Sequence, residues 1–316
     1  MNLKLIERVR VRRASGRPKA RTGLQYMVAG AFFFSVMSLL VKAAGHRLPS
    51  QEIVFARSLV MTLLCAVALR RGGIPAVGRK HGLLVLRGLF GFGSLSCFYF
   101  ALVHLPLADA TVIQYTNAIF TSLIAVFVLG ERLRPLELLC LALALTGVVI
   151  VTRPSFLFAA GARLPALPVL VALAGACLSG AAYVTVRRIE TEHPLVVIQY
   201  FSVIGTLASL PALIRSGIMP AGGEWLLLAG VGLATQAGQV NLTRALYLER
   251  AGRVGAAGLV QIVFAVLWGA LFFREIPDAI AVGGAALIIA AVLALGPIGK
   301  ALAPVPDAPS IPVHRP

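Results

Sequence analysis

The polar side chains that interrupt the long apolar runs of this sequence are its candidates for chemistry. The densest set lies in the run Trp225–Leu248, where Thr235, Gln239 and Thr243 recur every fourth residue and so share one face of a helix. Amide and hydroxyl groups arranged in this way can hydrogen-bond a polar solute. For any one of them the alternative is an interhelical hydrogen bond, worth about 0.6 kcal/mol. The candidates for binding a solute are Arg87, Tyr99, Tyr115, Asn117, Tyr183, Gln236, Gln239, Asn241 and Gln261.

Arg57 and Arg87 are the two charged residues that lie well within apolar runs. A charged arginine at the centre of a membrane helix costs about 2.5 to 3.5 kcal/mol. Arg57 lies six residues into its run and Arg87 five residues into its run, so that both side chains could still reach the membrane surface. They either reach that surface, pair with another helix, balance an anionic group of a solute, or form one side of a gate.

Glu131 and Glu275 end two apolar runs and lie 144 residues apart. At the same offset, Asn117 corresponds to Gln261, and a twofold axis between the two runs would bring these amides to one cavity. Each glutamate is either a cap for the following helix or part of a gating salt bridge, for example with Arg132 or Arg274. The predicted gating or charge-pairing residues are Arg57, Asp109, Glu131 and Glu275.

The runs lack the residue sets of membrane enzymes and proton relays. No carboxylate lies at mid-run, no histidine lies inside a run, and no HExxH motif or paired aspartates occur. Gly88, Gly91 and Gly93 resemble a phosphate-binding loop only superficially, because no strand precedes them, and close helix packing explains them. We therefore predict no catalytic residue, no metal site and no cofactor.

The elements that must position these residues are ten apolar runs, each long enough to cross a membrane. Hydrophobic residues make up 59% of the 316 residues and charged residues only 13%, which excludes a soluble chain. The sequence therefore predicts an all-α membrane protein with ten transmembrane helices. The predicted spans are Gly23–Ala44, Gln51–Leu69, Gly82–Val103, Leu107–Leu129, Pro135–Val151, Pro165–Thr185, Pro194–Ile214, Trp225–Leu248, Val254–Phe273 and Pro277–Leu295.

The distribution of lysine and arginine predicts the orientation. With the N-terminus inside the cell, 21 of the 29 basic residues lie on the cytoplasmic side and six on the other side. Residues 1–22 form a basic cytoplasmic tail, and residues 300–316 form a proline-rich tail that we expect to be disordered. The net charge of +17 is explained by this topology and by anionic lipid, so we expect no nucleic-acid partner.

The second five runs repeat the spacing of the first five. Residues 23–154 and 165–299 form two five-helix repeats, and since five is odd, the second repeat must cross the membrane upside down. Inverted repeats of this kind are a recurring architecture of transporters, because one half can rock against the other.

The chain resembles the EamA-type members of the drug/metabolite transporter superfamily. The resemblance is carried by RGLFGFGSLSCFYFAL (Arg87–Leu102), LADATVIQYTNAIFTSLIAVFVLGERL (Leu107–Leu133) and AGLVQIVFAVLWGALFFRE (Ala257–Glu275). It implies a central cavity lined by the first, third, fourth, sixth, eighth and ninth spans, and solutes that are amino-acid-like or S-adenosylmethionine-like.

We therefore expect a multi-pass protein of the bacterial inner membrane that carries small organic metabolites by alternating access. Its partners would be its solute and membrane lipid, and it would be a monomer or homodimer. The alternatives are a membrane-embedded lipid-modifying enzyme, which needs a cluster of acid, base or metal-binding residues, and a non-transporting membrane subunit, which needs no polar cavity.

Overall fold

The structure of the protein, a computed structural model, describes residues 22–45, 47–132, 134–159 and 164–300. The predicted tails lie outside these residues, apart from their innermost positions. All regular elements in the described part are helices. They are α1 (Gly23–Ala44), α2 (Ser50–Arg71), α3 (His81–His104), α4 (Leu107–Tyr115), α5 (Asn117–Leu129), α6 (Pro135–Thr152), α7 (Ser155–Phe158), α8 (Ala166–Arg188), α9 (Pro194–Ser216), α10 (Glu224–Leu248), α11 (Ala251–Gly258), α12 (Gln261–Phe273) and α13 (Ala279–Lys300).

The ten predicted spans agree with these helices, except that two of the spans are broken. Two spans that the sequence predicted as single helices are each broken in two, the fourth at Thr116 between α4 and α5, and the ninth at residues 259–260 between α11 and α12. The ninth span also begins at Ala251, three residues before its predicted start. Within the described residues, nine of the spans are long and apolar enough to cross a membrane by length and composition alone, and α10, the eighth predicted span, is not among these nine.

The two broken spans are equivalent in detail. Helix α5 covers residues 117–129 and α12 covers residues 261–273, which is the same segment moved by 144 residues. Each ends at a residue with a left-handed backbone, Gly130 with φ of 67° and Arg274 with φ of 56°. In the turn that follows, Glu131 N–H donates to the Ala125 carbonyl and Glu275 N–H to the Gly269 carbonyl. The correspondence of Glu131 with Glu275 is therefore confirmed.

The helices pack with the symmetry that an inverted repeat requires. Helix α1 packs on α10 as α3 packs on α8, and α2 packs on α10 as α9 packs on α3. Helix α2 packs on its own equivalent α9, and α6 packs on its equivalent α13. Because these contacts join one repeat to the other, the main core lies between the repeats.

Small residues that recur every fourth position along α10, Gly230, Ala234 and Gly238, allow the helices to approach closely. A side chain at Gly238 would lie 2.7 Å from the Phe34 ring of α1, and one at Gly230 would lie 3.0 Å from Leu40. Side chains of α9 likewise occupy the space beside Gly88 and Gly91 of α3, which confirms that these glycines serve close helix packing.

Candidate functional site

A polar cluster lies where α3, α8, α9 and α10 meet, and Arg87 is at its centre. Its Nη2 atom donates to Oε1 of Gln239 over 3.3 Å, and its guanidinium lies 4.5 Å from the centre of the Phe201 ring. The Tyr183 hydroxyl is close enough to interact with it electrostatically. The residue is only 4% exposed, so its side chain does not reach the membrane surface.

Arg57 lies in a second buried cluster, formed by α1, α2 and α3. It is 6% exposed, and its Nη1 atom lies 3.7 Å from the Met37 sulfur. Tyr99 interacts with it electrostatically. Of the alternatives for these two arginines, a side chain that reaches the membrane surface does not fit the burial of either residue.

The breaks in the two broken spans are lined by several of the predicted residues. Asn117 is the first residue of α5, and its amide donates to the Ser179 hydroxyl of α8 over 3.1 Å. Tyr115 ends α4 and, like Tyr183, packs against the main core between the repeats. Gln261 takes the place of Asn117 as the first residue of α12.

Two predicted residues of α10 make other contacts. The Gln236 amide donates to the Cys65 sulfur of α2 over 3.1 Å. The Asn241 amide donates to the Ala237 carbonyl within α10, and its Cβ packs near Gly30 of α1. In this structure the Arg87 cluster therefore brings together Arg87, Tyr183 and Gln239, while Gln236 and Asn241 make separate contacts.

One end of the molecule, which we call the Glu131 end, is closed by contacts between the repeats. Oε1 of Glu131 accepts a hydrogen bond from the Ala251 N–H over 3.2 Å and lies 3.8 Å from Nε of Arg187. Nη1 of Arg187 also donates to the carbonyls of Leu246 and Tyr247, over 3.1 and 2.6 Å. These bonds tie the ends of α5, α8 and α10 to the start of α11.

Buried ion pairs reinforce the Glu131 end. Glu137 at the start of α6 accepts from Arg250 over 2.8 Å and lies 3.7 Å from Arg253. Arg253 pairs with Glu249 over 2.6 Å and also donates to the Leu295 carbonyl of α13. This network was not predicted from the sequence, although Arg253 near the start of one helix and Glu137 in the first turn of another both indicate charges that need partners.

The opposite end, which we call the Glu275 end, lacks equivalent packing. Helix α11 packs on α5 at the Glu131 end, and α8 approaches α10 there, but the equivalent pairs α4 with α12 and α1 with α3 form no comparable packing among the described residues. Leu107, the equivalent of Ala251, is 69% exposed, whereas Ala251 is fully buried. The Glu275 side chain is 61% exposed and pairs with Lys42 over 2.8 Å.

The two gating contacts that the sequence offered as examples need correction. Glu131 contacts Arg187 instead of Arg132, and Glu275 contacts Lys42 instead of Arg274, because the partners come from helices that are distant in sequence. Asp109 is fully buried and accepts hydrogen bonds from the N–H and hydroxyl of Ser155. Asp109 therefore anchors the segment after α6 and is not paired with a cation.

Exposed ion pairs occupy the Glu275 end. Arg47 pairs with Glu224, and Arg153 pairs with Asp278. The pKa of Asp278 lies below its usual value, first because the Ala281 N–H donates to the carboxylate and second because Arg153 donates to it. Across the residues that the structure describes, no group of three histidine, cysteine or acidic side chains could hold a metal ion.

Comparison with known proteins identifies the family. The EamA-like transporter family matches the chain twice, over residues 21–153 and 166–296. The pseudopaline exporter CntI of Pseudomonas aeruginosa is 34% identical over 277 residues, which is 87% of this chain and 96% of that protein. Human solute carrier family 35 member G1 is 29% identical over 85% of this chain and 77% of its own length.

Two further comparisons agree on the fold. The S-adenosylmethionine uptake transporter of Rickettsia prowazekii is 24% identical over 86% of this chain and 91% of its own. One solved crystal structure superposes with a TM-score of 0.77 and covers 89% of this chain and 98% of the other chain. At 20% identity, that structure supports the fold alone.

Proposed function

This chain belongs to the EamA-like transporter family, and we propose that it carries small organic metabolites by alternating access between its two halves. It is a multi-pass membrane protein and a metabolite transporter. The observation that supports alternating access is the difference between its ends. Equivalent helices are packed together at the Glu131 end and stand apart at the Glu275 end.

The mechanism follows from the equivalence of the two ends. In the state described here, Glu131 bonds to the start of α11 and the Glu275 end is open. In the opposite state, Glu275 would bond to the N–H of Leu107 at the start of α4, as Glu131 does to Ala251. The breaks at Thr116 and at residues 259–260 provide the places where each short helix can tilt without bending a continuous hydrogen-bonded helix.

The solute site would lie between these ends, around Arg87, Tyr183 and Gln239, and would extend to the breaks at Asn117 and Gln261. Buried amides, hydroxyls and a guanidinium would recognise a polar solute of the amino-acid-like or S-adenosylmethionine-like class. Tyr99 and Arg57 would line the approach from the Glu275 end. Neither the family nor this site points to an enzyme.

The positive-inside rule supports a cytoplasmic location for the Glu131 end and for both termini, in a bacterial inner membrane. The state described here would then be open to the outside. The chain would function as a monomer or homodimer, without a nucleic-acid partner.

Membrane lipid would be the other partner. A mostly apolar cavity of about 560 Å³ lies between α2, α9 and α10 near the Glu275 end, lined by Phe55, Leu59, Leu213 and Trp225 among others. Its lining suits an acyl chain and not the polar solute.

The test of the proposed function is flux into liposomes that contain the purified full-length protein. A broad panel of labelled amino acids and related metabolites is screened for uptake that an excess of unlabelled solute abolishes. Transport of at least one solute, reduced by Gln239→Ala or Asn117→Ala in a folded protein, supports the proposal. No transport of any solute, or full transport by both variants, contradicts it.

A further inference from the structure

Arg87 is a buried charge without a matching anion. Its Nε and Nη1 atoms have no hydrogen-bond partner, and none of the described carboxylates lies within ion-pair distance of it. Its bond to Gln239 and its contact with Phe201 engage one nitrogen and one face of the guanidinium. Two of its three nitrogens are therefore free to donate.

The other buried arginine that can be compared directly has carboxylates beside it, although its Nε atom also lacks a hydrogen-bond partner. Arg253 is 6% exposed, close to the 4% of Arg87, but it contacts both Glu249 and Glu137 and donates to the Leu295 carbonyl. Burying an unpaired charge costs several kcal/mol, which a merely structural residue would not need to incur. The missing anion at Arg87 therefore points to a ligand.

Arg57 repeats this pattern nearer the open end. Its Nε atom has no partner, and Met37 is its one hydrogen-bonding contact among the described residues. Counting about 1.5 Å per residue along α2 and α3, the two arginines are separated by roughly 14 Å along the membrane normal. One small anion cannot contact both at once, so they form successive positions on one route.

We propose that Arg87 binds a carboxylate of the transported solute, and that Arg57 attracts the same group on its way from the Glu275 end. A guanidinium donates two parallel hydrogen bonds to a planar carboxylate. A phosphate ester carries about −1.5 to −2 charges, which one arginine does not balance. The solute class is therefore a carboxylic acid. This inference rests on the proposed transport function and adds the chemistry that selects the solute.

The experiment compares acids with their uncharged amides. The purified full-length protein is melted in detergent with a panel of monocarboxylic acids and their uncharged amides that includes N-acetylglycine with N-acetylglycinamide and lactate with lactamide, and with glycerol phosphate. We expect acids to raise the melting temperature of the wild type and their amides and the phosphate ester to leave it unchanged. Arg87→Lys should reduce this rise, Arg87→Met should abolish it, and Arg215→Met, an exposed control with the same charge change, should preserve it.

A second readout needs no ligand. Without any acid, Arg87→Met should melt about 2 °C higher than the wild type because it removes an unpaired buried charge, whereas Arg253→Met should melt lower. A lower melting temperature for Arg87→Met, an acid response that survives in this variant, or a wild type that ignores every acid would overturn the proposal. An equal response to acids and amides, or a stronger response to glycerol phosphate, would overturn it too.

The flux assay separates this inference from the function on which it rests. If the wild type transports amides as well as acids, the carboxylate site is wrong and the transporter function stands. If the wild type transports nothing from the broad panel, the transporter function itself fails.

Discussion

The Glu131 end and the Glu275 end are built from equivalent helices, yet they are packed differently. Ala251 is fully buried at the start of α11, whereas Leu107 is 69% exposed at the start of α4. The ion pairs of the Glu131 end are largely buried, and those of the Glu275 end are largely exposed. In the state described here, the inverted repeat therefore has two ends of different packing. Such a difference is what a carrier needs in order to expose its binding site to one side of the membrane only.

The sequence contributes to the difference. At the Glu131 end, α11 meets α5 through Gly252 and Gly255, which lie against Ser122 and Ala118. The equivalent positions on α4 are Ala108 and Thr111. Alanine and threonine are both larger than glycine, and larger side chains keep two helices further apart. In the proposed opposite state the Glu275 end would therefore close through a looser interface, and the Glu131 end would be the more stable of the two closed ends.

The largest predicted effect is at the buried ion pairs of the Glu131 end. Glu137→Gln removes the carboxylate that pairs with Arg250 and that also lies near Arg253. We expect this substitution to lower the free energy of unfolding by about 3 kcal/mol. Chemical denaturation followed by circular dichroism measures it. Asp278→Asn is the matched variant at the Glu275 end and should change stability little, since its pair with Arg153 is exposed. Equal effects at both ends would contradict the comparison.

The next effect is a wedge between helices. Gly255→Val places a side chain against Ala118, whose Cα atom would lie 3.3 Å from the new Cβ, and should destabilise the closed Glu131 end by about 2 kcal/mol. The reactivity of a single introduced cysteine at the Glu131 end with a water-soluble maleimide should rise. Thr111→Val introduces the same residue at the equivalent position of α4 and should not change this reactivity. A rise in both variants would show that the two interfaces are alike.

A smaller effect is expected from the two equivalent glutamates. Glu131→Gln keeps an acceptor for the Ala251 N–H but loses the charge that faces Arg187, and should cost about 1 kcal/mol. Glu275→Gln should cost a few tenths of a kcal/mol, because the pair with Lys42 is exposed. Thermal unfolding of both variants in one detergent decides the order. A larger loss for Glu275→Gln would reverse the assignment of the closed end.

The smallest effect is a pH dependence at the Glu275 end. The pKa of Asp278 is lower in the folded protein than in the unfolded chain, where it is about 3.9. The ionised Asp278 therefore stabilises the fold fully above about pH 3.9, and this stabilisation is lost as the pH falls through the pKa of the folded state. We therefore expect the wild type to be more stable than Asp278→Asn at pH 6, and this difference in the free energy of unfolding should decrease as the pH is lowered to about 3. A difference that increases toward low pH would contradict the assignment.

Much of the fold could be predicted from the sequence, because apolar runs of membrane-spanning length and the 144-residue offset are local or periodic signals. The breaks at Thr116 and residues 259–260 could not, because Thr116 is neither glycine nor proline and Gly258, which ends α11, is one of many glycines in the sequence. The two breaks are related by the same 144-residue offset as the repeats. Asn117 and Gln261 correspond because each is the first residue after a break, which the sequence alone did not reveal.

The residues of the candidate site were predictable by type, but their partners were not. Buried polar groups within apolar runs led to Arg87 and Gln239, which do meet. The partners of Glu131 and Glu275 come from α8 and α1, at sequence separations that no local pattern encodes, and the nearest arginines in the sequence were the wrong choice. Which end is closed is a property of the packed state and has no sequence signature beyond the glycines of α11.

The central claim is that the two ends close in turn, and a pair of crosslinks tests it most directly. In a protein whose four native cysteines are replaced by alanine, Glu131→Cys with Ala251→Cys should be linked by a short bifunctional methanethiosulfonate in the resting state. Leu107→Cys with Glu275→Cys should be linked only when the Glu131 end opens. We predict that each link stops flux, that reduction restores it, and that a protein carrying both pairs never forms both links in one molecule. Both links in the same molecule, or full flux through a linked protein, would contradict alternating access.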